Sequence, residues 1–210
     1  GNSVHACLTQ GRAPSAGLVG GAWKAWGKFY AADGARASGV SNFLPDHLDT
    51  LLAETTVVPA VNQIELHPTF QQAALAARSR ALEIAVEAYS PLGQGTDLNA
   101  AAVTAMAQKV GATPAQIVLA WHLGFDNIVI PKTTHPHRMR ENLAAAEITP
   151  IPHELDAITA LASFARMGPD PAPSASTRRG RGGAGWRGGG GWGGGGASGV
   201  LPNRVAGGRP

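Results

Sequence analysis

The sequence predicts an α/β fold, namely a partial (β/α)8 TIM barrel of about four βα units. First, four short apolar runs alternate with stretches of helical pattern over residues 21–165, and this alternation is typical of a parallel sheet. Second, neither GxGxxG nor GxxxxGK occurs, so the two commonest nucleotide loops of open sheets are missing. Third, a complete barrel needs about 200–250 residues, so the patterned residues suffice for roughly half of one.

Strands and helices follow one another in a regular order. The predicted strands are 35–41, 57–66, 81–90 and 127–131. A helix precedes the first strand, and further helices are predicted from Pro45, over about 70–80, 99–109 and 114–123, near Pro136, and over about 153–164. Proline suits the first turn of a helix, because its missing N–H would have no partner within the helix there.

Composition divides the chain into three segments. Residues 1–20 are predicted to be irregular, 21–165 form the patterned domain, and 166–210 form a Gly/Arg-rich C-terminal tail. Of the 28 glycines, 16 lie at or after Gly168, and the tail has a net charge of +6 against −3 for residues 1–165. Because such a composition cannot form a packed core, we expect the tail to be disordered. Arg-Gly clusters around Trp186 and Trp192 leave association with nucleic acid as an alternative function of the tail.

The single cysteine, Cys7, excludes an internal disulfide and favours a reducing compartment, so a cytoplasmic location is predicted. No apolar run approaches the roughly 20 residues of a membrane helix, and the first residues lack the pattern of a secretory signal. The sequence does not begin with Met, which we interpret as a chain cut from a longer protein.

Polar side chains end all four predicted strands. They are Ser41 and Asn42, Gln63 and Glu65, Tyr89 and Ser90, and Lys132 and Thr133. Because the carboxyl ends of parallel barrel strands share one face, we expect one polar mouth that holds a ligand. Lys132, Arg138 and Arg140 flank the start of the following helix, where free N–H groups and the helix dipole favour a phosphate. A solvated basic helix face is the alternative interpretation.

Four motifs occur in a fixed order: GVSNF at 39–43, VNQIELHP at 61–68, AYSPLG at 88–93 and VIPKT at 129–133. Together with TPAQ at 113–116 and HPHRMRENL at 135–143, they strongly resemble the aldo-keto reductases, particularly the bacterial 2,5-diketogluconate reductase-like branch. The resemblance runs from about Ala22 to Ala165 and covers only the C-terminal half of the family's barrel. The four predicted βα units are therefore expected to be its C-terminal units.

The resemblance implies an NADP(H) cofactor and a role for each matching position. Ser41, Asn42 and Gln63 match the residues that hydrogen-bond the nicotinamide carboxamide, and Tyr89 matches the aromatic residue that stacks on the nicotinamide ring. The other matching positions are Ser90 and Leu92 for the pyrophosphate, Lys132, Thr133 and Arg138 for the 2′-phosphate, and Glu141 and Asn142 for the adenine.

The catalytic residues of the family are not matched in the same way. The resemblance implies reduction of aldehydes and ketones to alcohols by NADPH. In the family this chemistry uses a general acid Tyr whose pKa is lowered by a Lys paired to an Asp, and a His that orients the carbonyl. In the family the Asp, Tyr and Lys lie upstream of the matched region, and neither Tyr30 nor Tyr89 matches the acid. His5 lies in about the right place for the His but lacks its flanking motif. We therefore expect this chain alone to be inactive, and a non-catalytic fragment is the alternative to an oxidoreductase.

The resemblance implies a small carbonyl substrate as the partner, and the open edges of a half barrel predict self-association. No membrane contact is predicted. No metal site is predicted either, because no His, Cys, Asp and Glu set has ligand spacing. The remaining histidines are expected at the surface or in supporting positions; they are His47, His67, His122, His135, His137 and His153.

Overall fold

The computed structural model describes residues 16–168, 170 and 171. The seven described helices are α1 (Ala16–Ala31), α2 (Pro45–Glu54), α3 (Ala73–Ala81), α4 (Ala101–Val110), α5 (Pro114–Gly124), α6 (Pro136–Ala144) and α7 (Pro152–Thr159). The four strands are β1 (Gly39–Ser41), β2 (Val61–Glu65), β3 (Ala85–Tyr89) and β4 (Ile128–Val129), and short 3-10 turns occur at Gly93–Gly95, Asp97–Asn99 and Ala145–Glu147. Cys7, His5 and the tail from 172 onward lie outside the described residues.

The strands form one parallel sheet in the order β1-β2-β3-β4, with at least one helix in each crossover. Ser41 is paired with Gln63, Gln63 with Glu87, and Glu87 with Ile128, so these positions form one row across the sheet. The α/β fold class and the partial barrel of four βα units are confirmed. Each strand lies within its predicted range but is shorter than predicted.

The hydrophobic core lies between the sheet and its helices. Val40, Ile64 and Val86 are buried on the sheet, and they pack in one cluster with helix residues such as Leu48 and Ile117. Because successive side chains of a strand point to opposite faces, the neighbouring positions Ser41, Gln63 and Glu87 lie on the other, inner face. Burial of the apolar face thus fixes which polar side chains reach the inner face.

Helix α5 shows how local sequence sets an element that positions the site. Thr113 Oγ1 accepts a hydrogen bond from the Gln116 backbone N–H at 3.3 Å, and Gln116 Oε1 accepts one from the Thr113 N–H at 2.9 Å. This reciprocal pair is a capping box, and Pro114 occupies the first turn where no N–H is needed. The helix then buries Ile117, Val118 and Trp121 against the core.

Two element boundaries differ from expectation. Helix α1 begins at Ala16, inside the segment predicted to be irregular. Helix α7 ends at Thr159, so the predicted extension to 164 is wrong. The chain instead turns back, since the N–H groups of Ser163 and Ala165 donate to the Thr69 carbonyl at 3.0 and 3.4 Å and Phe164 has a φ of 60°. Among the described helices none combines the length and apolar character that crossing a bilayer requires.

Candidate functional site

The predicted mouth forms where β1, β2 and β3 end. Ser41 Oγ donates to the Gln63 carbonyl at 3.1 Å, and the Asn42 backbone N–H donates to the same oxygen at 2.9 Å. Asn42 has a φ of 57°, a left-handed conformation that Asn adopts more readily than most residues. At this turn the backbone leaves the direction of β1, and the Asn42 side chain therefore stays beside the strand ends.

Three further hydrogen bonds join side chains at the mouth. The Tyr89 hydroxyl donates to Asn42 Oδ1 at 3.1 Å, and Asn42 Nδ2 donates to Ser41 Oγ at 3.4 Å. On the adjacent strand pair, Gln63 Nε2 donates to Glu87 Oε1. The structure therefore brings together the four residues predicted for the carboxamide and the ring, and it adds Glu87, to which the sequence assigned no role.

Tyr89 has an altered acidity. Burial raises the pKa of its phenol above the ordinary 10.0, and the nearby negative charge of Glu65 raises the pKa further. The positive charge of Arg166 and the hydrogen bond to Asn42 act in the opposite direction but do not outweigh these effects. The hydroxyl therefore stays protonated at neutral pH, and it serves as a hydrogen-bond donor rather than as a proton source.

Ser90 and Leu92, predicted for the pyrophosphate, lie in the turn that follows β3. Ser90 has a φ of 50°, and its carbonyl accepts the Gly93 N–H at 2.9 Å. The Leu92 carbonyl accepts the Gly95 N–H at 2.8 Å, and its side chain packs against the core. Both residues are thus held next to Tyr89 by a short hydrogen-bonded turn.

The predicted phosphate and adenine residues surround the loop between β4 and α6. Lys132 and Arg138 are exposed, and neither pairs with an acidic side chain of the described part of the chain. Thr133 Oγ1 accepts the His135 N–H at 3.1 Å. Thr133 and Asn142 both line a cleft of about 450 Å³, whereas Glu141 accepts a hydrogen bond from Thr113 Oγ1. The two cations remain available to an anion.

A buried polar cluster lies at the end of β2. The His67 ring nitrogens face Asp97 Oδ2 at 3.0 Å and Glu65 Oε1 at 3.3 Å, and the three side chains are almost completely buried. Burial acts to raise the pKa of Asp97, but hydrogen bonds from His67 and Thr69 outweigh it and hold this pKa below its ordinary value. The cluster gives Glu65 a fixed position beside Tyr89, with which it is paired in register.

The first residues of the predicted tail contact this cluster. The backbone N–H groups of Met167 and Gly168 donate to the two carboxylate oxygens of Glu65. Arg166 Nη1 lies 3.6 Å from Glu65 Oε2, and its guanidinium lies 4.5 Å from the centre of the Phe70 ring. A Cβ atom on Gly168 would lie 3.6 Å from the Tyr89 hydroxyl. The chain thus returns to the edge of the mouth, a contact that the glycine-rich composition gave no means of predicting.

No candidate for the family's acid emerges from the described residues. Tyr30 lies on α1 and is 42% exposed, and Lys24 of the same helix pairs with Glu54 at 3.6 Å. His5 lies outside the described residues. Within 16–168, 170 and 171, no three His, Cys, Asp or Glu side chains are grouped so that they could hold a metal ion.

The known proteins similar to this chain include the following two relatives and one solved structure. An aldo-keto reductase of Mycolicibacterium smegmatis is 46% identical over 136 residues, which are 65% of this chain and 50% of the relative. Morphine 6-dehydrogenase of Pseudomonas putida is 40% identical over 162 residues, 71% and 55% of the two chains. A crystal structure of a Gox0644 mutant in complex with NADPH superposes with a TM-score of 0.69 at 41% identity, covering 71% of this chain and 55% of the other.

The chain spans about half the length of the curated relatives it matches. A sequence model of the Aldo/keto reductase family matches residues 22–163, which is more than half of this chain. The matched region contains every element from β1 to α7 and all the side chains of the mouth. This chain belongs to the aldo/keto reductase family.

Proposed function

We propose that this chain carries the NADP(H)-binding wall of an oxidoreductase that reduces aldehydes and ketones to alcohols in the cytoplasm. The observation that supports this most directly is the linked set of Ser41, Asn42, Gln63 and Tyr89 at the strand ends. An aromatic ring beside several hydrogen-bonding side chains fits a flat heterocycle that carries an amide. The similar Gox0644 mutant was crystallised with NADPH.

The β4–α6 loop supplies the other end of the proposed site. Lys132 and Arg138 are exposed and free of acidic partners among the described residues, and helix α6 starts at Pro136 with no acidic residue in its first turn. An anion near this turn gains from the helix dipole and from charge-assisted hydrogen bonds. The 2′-phosphate distinguishes NADPH from NADH, so we propose that these two cations select NADPH.

The residues of this chain bind and orient the cofactor in the proposed mechanism. When bound, NADPH supplies the hydride that a carbonyl carbon accepts. The carbonyl oxygen must also receive a proton, and the raised pKa of Tyr89 makes its hydroxyl a weak acid. We therefore propose that the 210 residues by themselves bind the cofactor without reducing carbonyls at an enzymatic rate.

Titration of tryptophan fluorescence with NADPH and with NADH tests the proposal on the full chain. Charge-assisted hydrogen bonds contribute about 1.5–3 kcal/mol each, so we expect NADPH to bind roughly tenfold to several hundredfold more tightly than NADH. Arg138→Ala should weaken NADPH binding and leave NADH binding almost unchanged. Arg78→Ala is a matched control, because Arg78 pairs with Asp49 and lies far along the chain from the proposed phosphate site.

Each outcome has a clear meaning. Failure of both nucleotides to bind would refute the proposed function, and equal losses for both in Arg138→Ala would mean that this residue is a solvated helix charge. Addition of a simple aldehyde to the NADPH complex should cause no turnover. Oxidation of NADPH at about 1 s⁻¹ or faster, a typical enzymatic rate, would contradict the proposed lack of catalysis.

A further inference from the structure

We infer that Glu87 and the hydroxyl of Tyr89 are positioning groups that fix the two amide side chains of the mouth in opposite senses. In this arrangement Gln63 presents an acceptor and Asn42 presents a donor to a ligand. The site would then select a primary carboxamide over other substituents on the ring. The inference rests on the proposed function and deepens it. It assigns the selection of a carboxamide to Glu87 and the Tyr89 hydroxyl, which hold the two amide side chains and do not themselves bind the carboxamide.

Glu87 sets the orientation of Gln63. The two residues are paired across β2 and β3, and Glu87 is only 9% exposed. An ionised carboxylate only accepts hydrogen bonds, so it holds the nitrogen of the Gln63 amide, as the Nε2–Oε1 hydrogen bond shows. The Gln63 side-chain oxygen is left facing away from Glu87, and no described residue donates a hydrogen bond to it. Gln63 therefore offers an acceptor.

Tyr89 and Ser41 together set the orientation of Asn42 in the opposite sense. The Tyr89 hydroxyl donates to Asn42 Oδ1 at 3.1 Å, and the raised pKa keeps the proton on the phenol. Asn42 Nδ2 then donates to Ser41 Oγ, whose own proton goes to the Gln63 carbonyl. Reversing the Asn42 amide would give up the hydrogen bond that Oδ1 accepts from Tyr89 and would bring Oδ1 against Ser41 Oγ, whose proton is already donated to the Gln63 carbonyl. The Tyr89 hydroxyl could turn to accept from the reversed NH₂, so the Tyr89 donor and the Ser41 acceptor favour the observed orientation together. Since an amide nitrogen carries two protons, Asn42 keeps one donor for a ligand.

The two amides together match the two halves of a primary carboxamide. Asn42 follows Ser41, which is paired with Gln63 across β1 and β2, so the donor and the acceptor lie on neighbouring strand ends. A carboxamide has one oxygen that accepts and one NH₂ that donates, and it can satisfy both. An acetyl group in the same place has only the oxygen, so the Gln63 acceptor would face a methyl group. An unmet polar group of this kind lowers affinity.

Three ligands separate carboxamide selection from general binding. They are NADP⁺, its 3-acetylpyridine analogue, and 2′-phospho-ADP-ribose, which lacks the nicotinamide ring. One lost hydrogen bond changes affinity by about threefold to tenfold. We therefore expect the full chain to prefer NADP⁺ to the acetylpyridine analogue by about that factor, as measured by isothermal titration calorimetry.

Glu87→Gln removes the fixed orientation while it keeps the size of the side chain. A glutamine at 87 can accept from Gln63 or donate to it, so Gln63 is free to turn its NH₂ toward the ligand. The preference for NADP⁺ over the acetylpyridine analogue should fall toward one, whereas 2′-phospho-ADP-ribose should bind as before. Glu83→Gln is the matched control, because Glu83 is exposed just before β3, and it should leave the preference intact.

Tyr89→Phe provides a second and independent variant. It keeps the aromatic ring and removes only the donor to Asn42 Oδ1, so it should also reduce the preference without affecting 2′-phospho-ADP-ribose. Circular dichroism establishes that each variant is folded, and if Glu87→Gln does not fold, the Tyr89→Phe result decides.

The outcomes distinguish the positioning roles of Glu87 and Tyr89 from the proposed binding of NADP(H). Binding of NADP⁺ with an unchanged preference in both folded variants would overturn the positioning roles while the proposed function stands. A parallel loss of affinity for all three ligands would also overturn them, since it would show a merely structural role. Failure of the unaltered chain to bind NADP⁺ and 2′-phospho-ADP-ribose would refute the proposed function itself.

Discussion

The pKa of the buried His122 side chain is determined by its surroundings. His122 lies on α5 with no exposed surface, and its Nε2 faces the Pro91 carbonyl at 2.9 Å. Burial lowers the pKa of His122 from 6.5 to about 4. The Pro91 hydrogen bond and the charge of Asp97 raise this pKa and the charge of His67 lowers it, but burial dominates. The native imidazole is therefore neutral, and the turn that carries Ser90 and Leu92 depends on its hydrogen bond.

The lowered pKa makes stability depend on pH in a defined window. Between pH 6.5 and about 4, the unfolded chain binds a proton at this position and the native chain does not, so the free energy of unfolding falls as the pH falls. The full difference amounts to roughly 3 kcal/mol. Above this window the contribution is complete and constant. Urea unfolding at pH 7, 6, 5 and 4 measures this loss of stability across the window.

His122→Gln isolates this contribution from other titrating groups. Glutamine can still donate to the Pro91 carbonyl but gains no proton, so the variant lacks this part of the pH dependence. The stability difference between the two proteins should therefore shrink, or change sign, as the pH falls from 6.5 to 4. A difference that stays constant over this range would show that His122 is not the group responsible.

At the scale of the element, β1 depends on the absence of a side chain at Gly39. A Cβ atom there would lie 2.3 Å from Val61 Cγ1 and 2.9 Å from the Val61 carbonyl oxygen. The first contact could be relieved by a rotamer change, but the second involves the backbone of β2. That backbone is held by the ladder and by the Ala60 N–H, which donates to the Ser38 carbonyl at 2.8 Å.

Gly39→Ala should therefore destabilise the protein by about 1–3 kcal/mol, as overpacking does in cores, measured by urea unfolding. Because Ser41 and Asn42 follow on the same strand and turn, the affinity for NADP⁺ should fall as well. Gly21→Ala is the control, since Gly21 is exposed on α1 with no atom within 4 Å of an added Cβ. It should change stability by less than about 1 kcal/mol, in the stabilising direction. Equal effects of the two substitutions would mean that β1 does not pack as described.

A helix or strand could be predicted from the sequence where the interactions that define it are between residues close together along the chain. The strand at 81–90 and the helix at 114–123 are marked by apolar periodicity and by Pro114, which are local signals. The chain after α7 is held by the Thr69 carbonyl, which accepts from Ser163 and Ala165 and is far away along the chain. The sequence prediction therefore extended this helix too far. The resemblance led to Tyr89 and Gln63, but the orienting role of Glu87 requires the register between β2 and β3, which no local pattern shows.

At the scale of the whole molecule, the sheet has two outer strands. Among the described residues, β1 and β4 are each paired on one side only. Ile128 and Ile130 are 45% and 44% exposed, and Met139 and Leu143 of α6 are more exposed still. An unpaired strand beside exposed apolar side chains is a surface on which a second chain can add. We therefore expect copies of this chain to associate through the β4 edge.

Ile130→Lys tests this expectation, because a charged lysine at a strand edge opposes the addition of another strand. Light scattering coupled to size-exclusion chromatography should show oligomers of the unaltered chain that grow with concentration, and mostly monomers of Ile130→Lys. Phe164→Lys makes a similar change in charge and apolar area at a residue that is 84% exposed and lies outside the strands and helices, so it should leave association unchanged. A monomeric unaltered chain at all concentrations would contradict the expectation. Equal dissociation by both lysines would instead mean that net charge, and not the β4 edge, controls association.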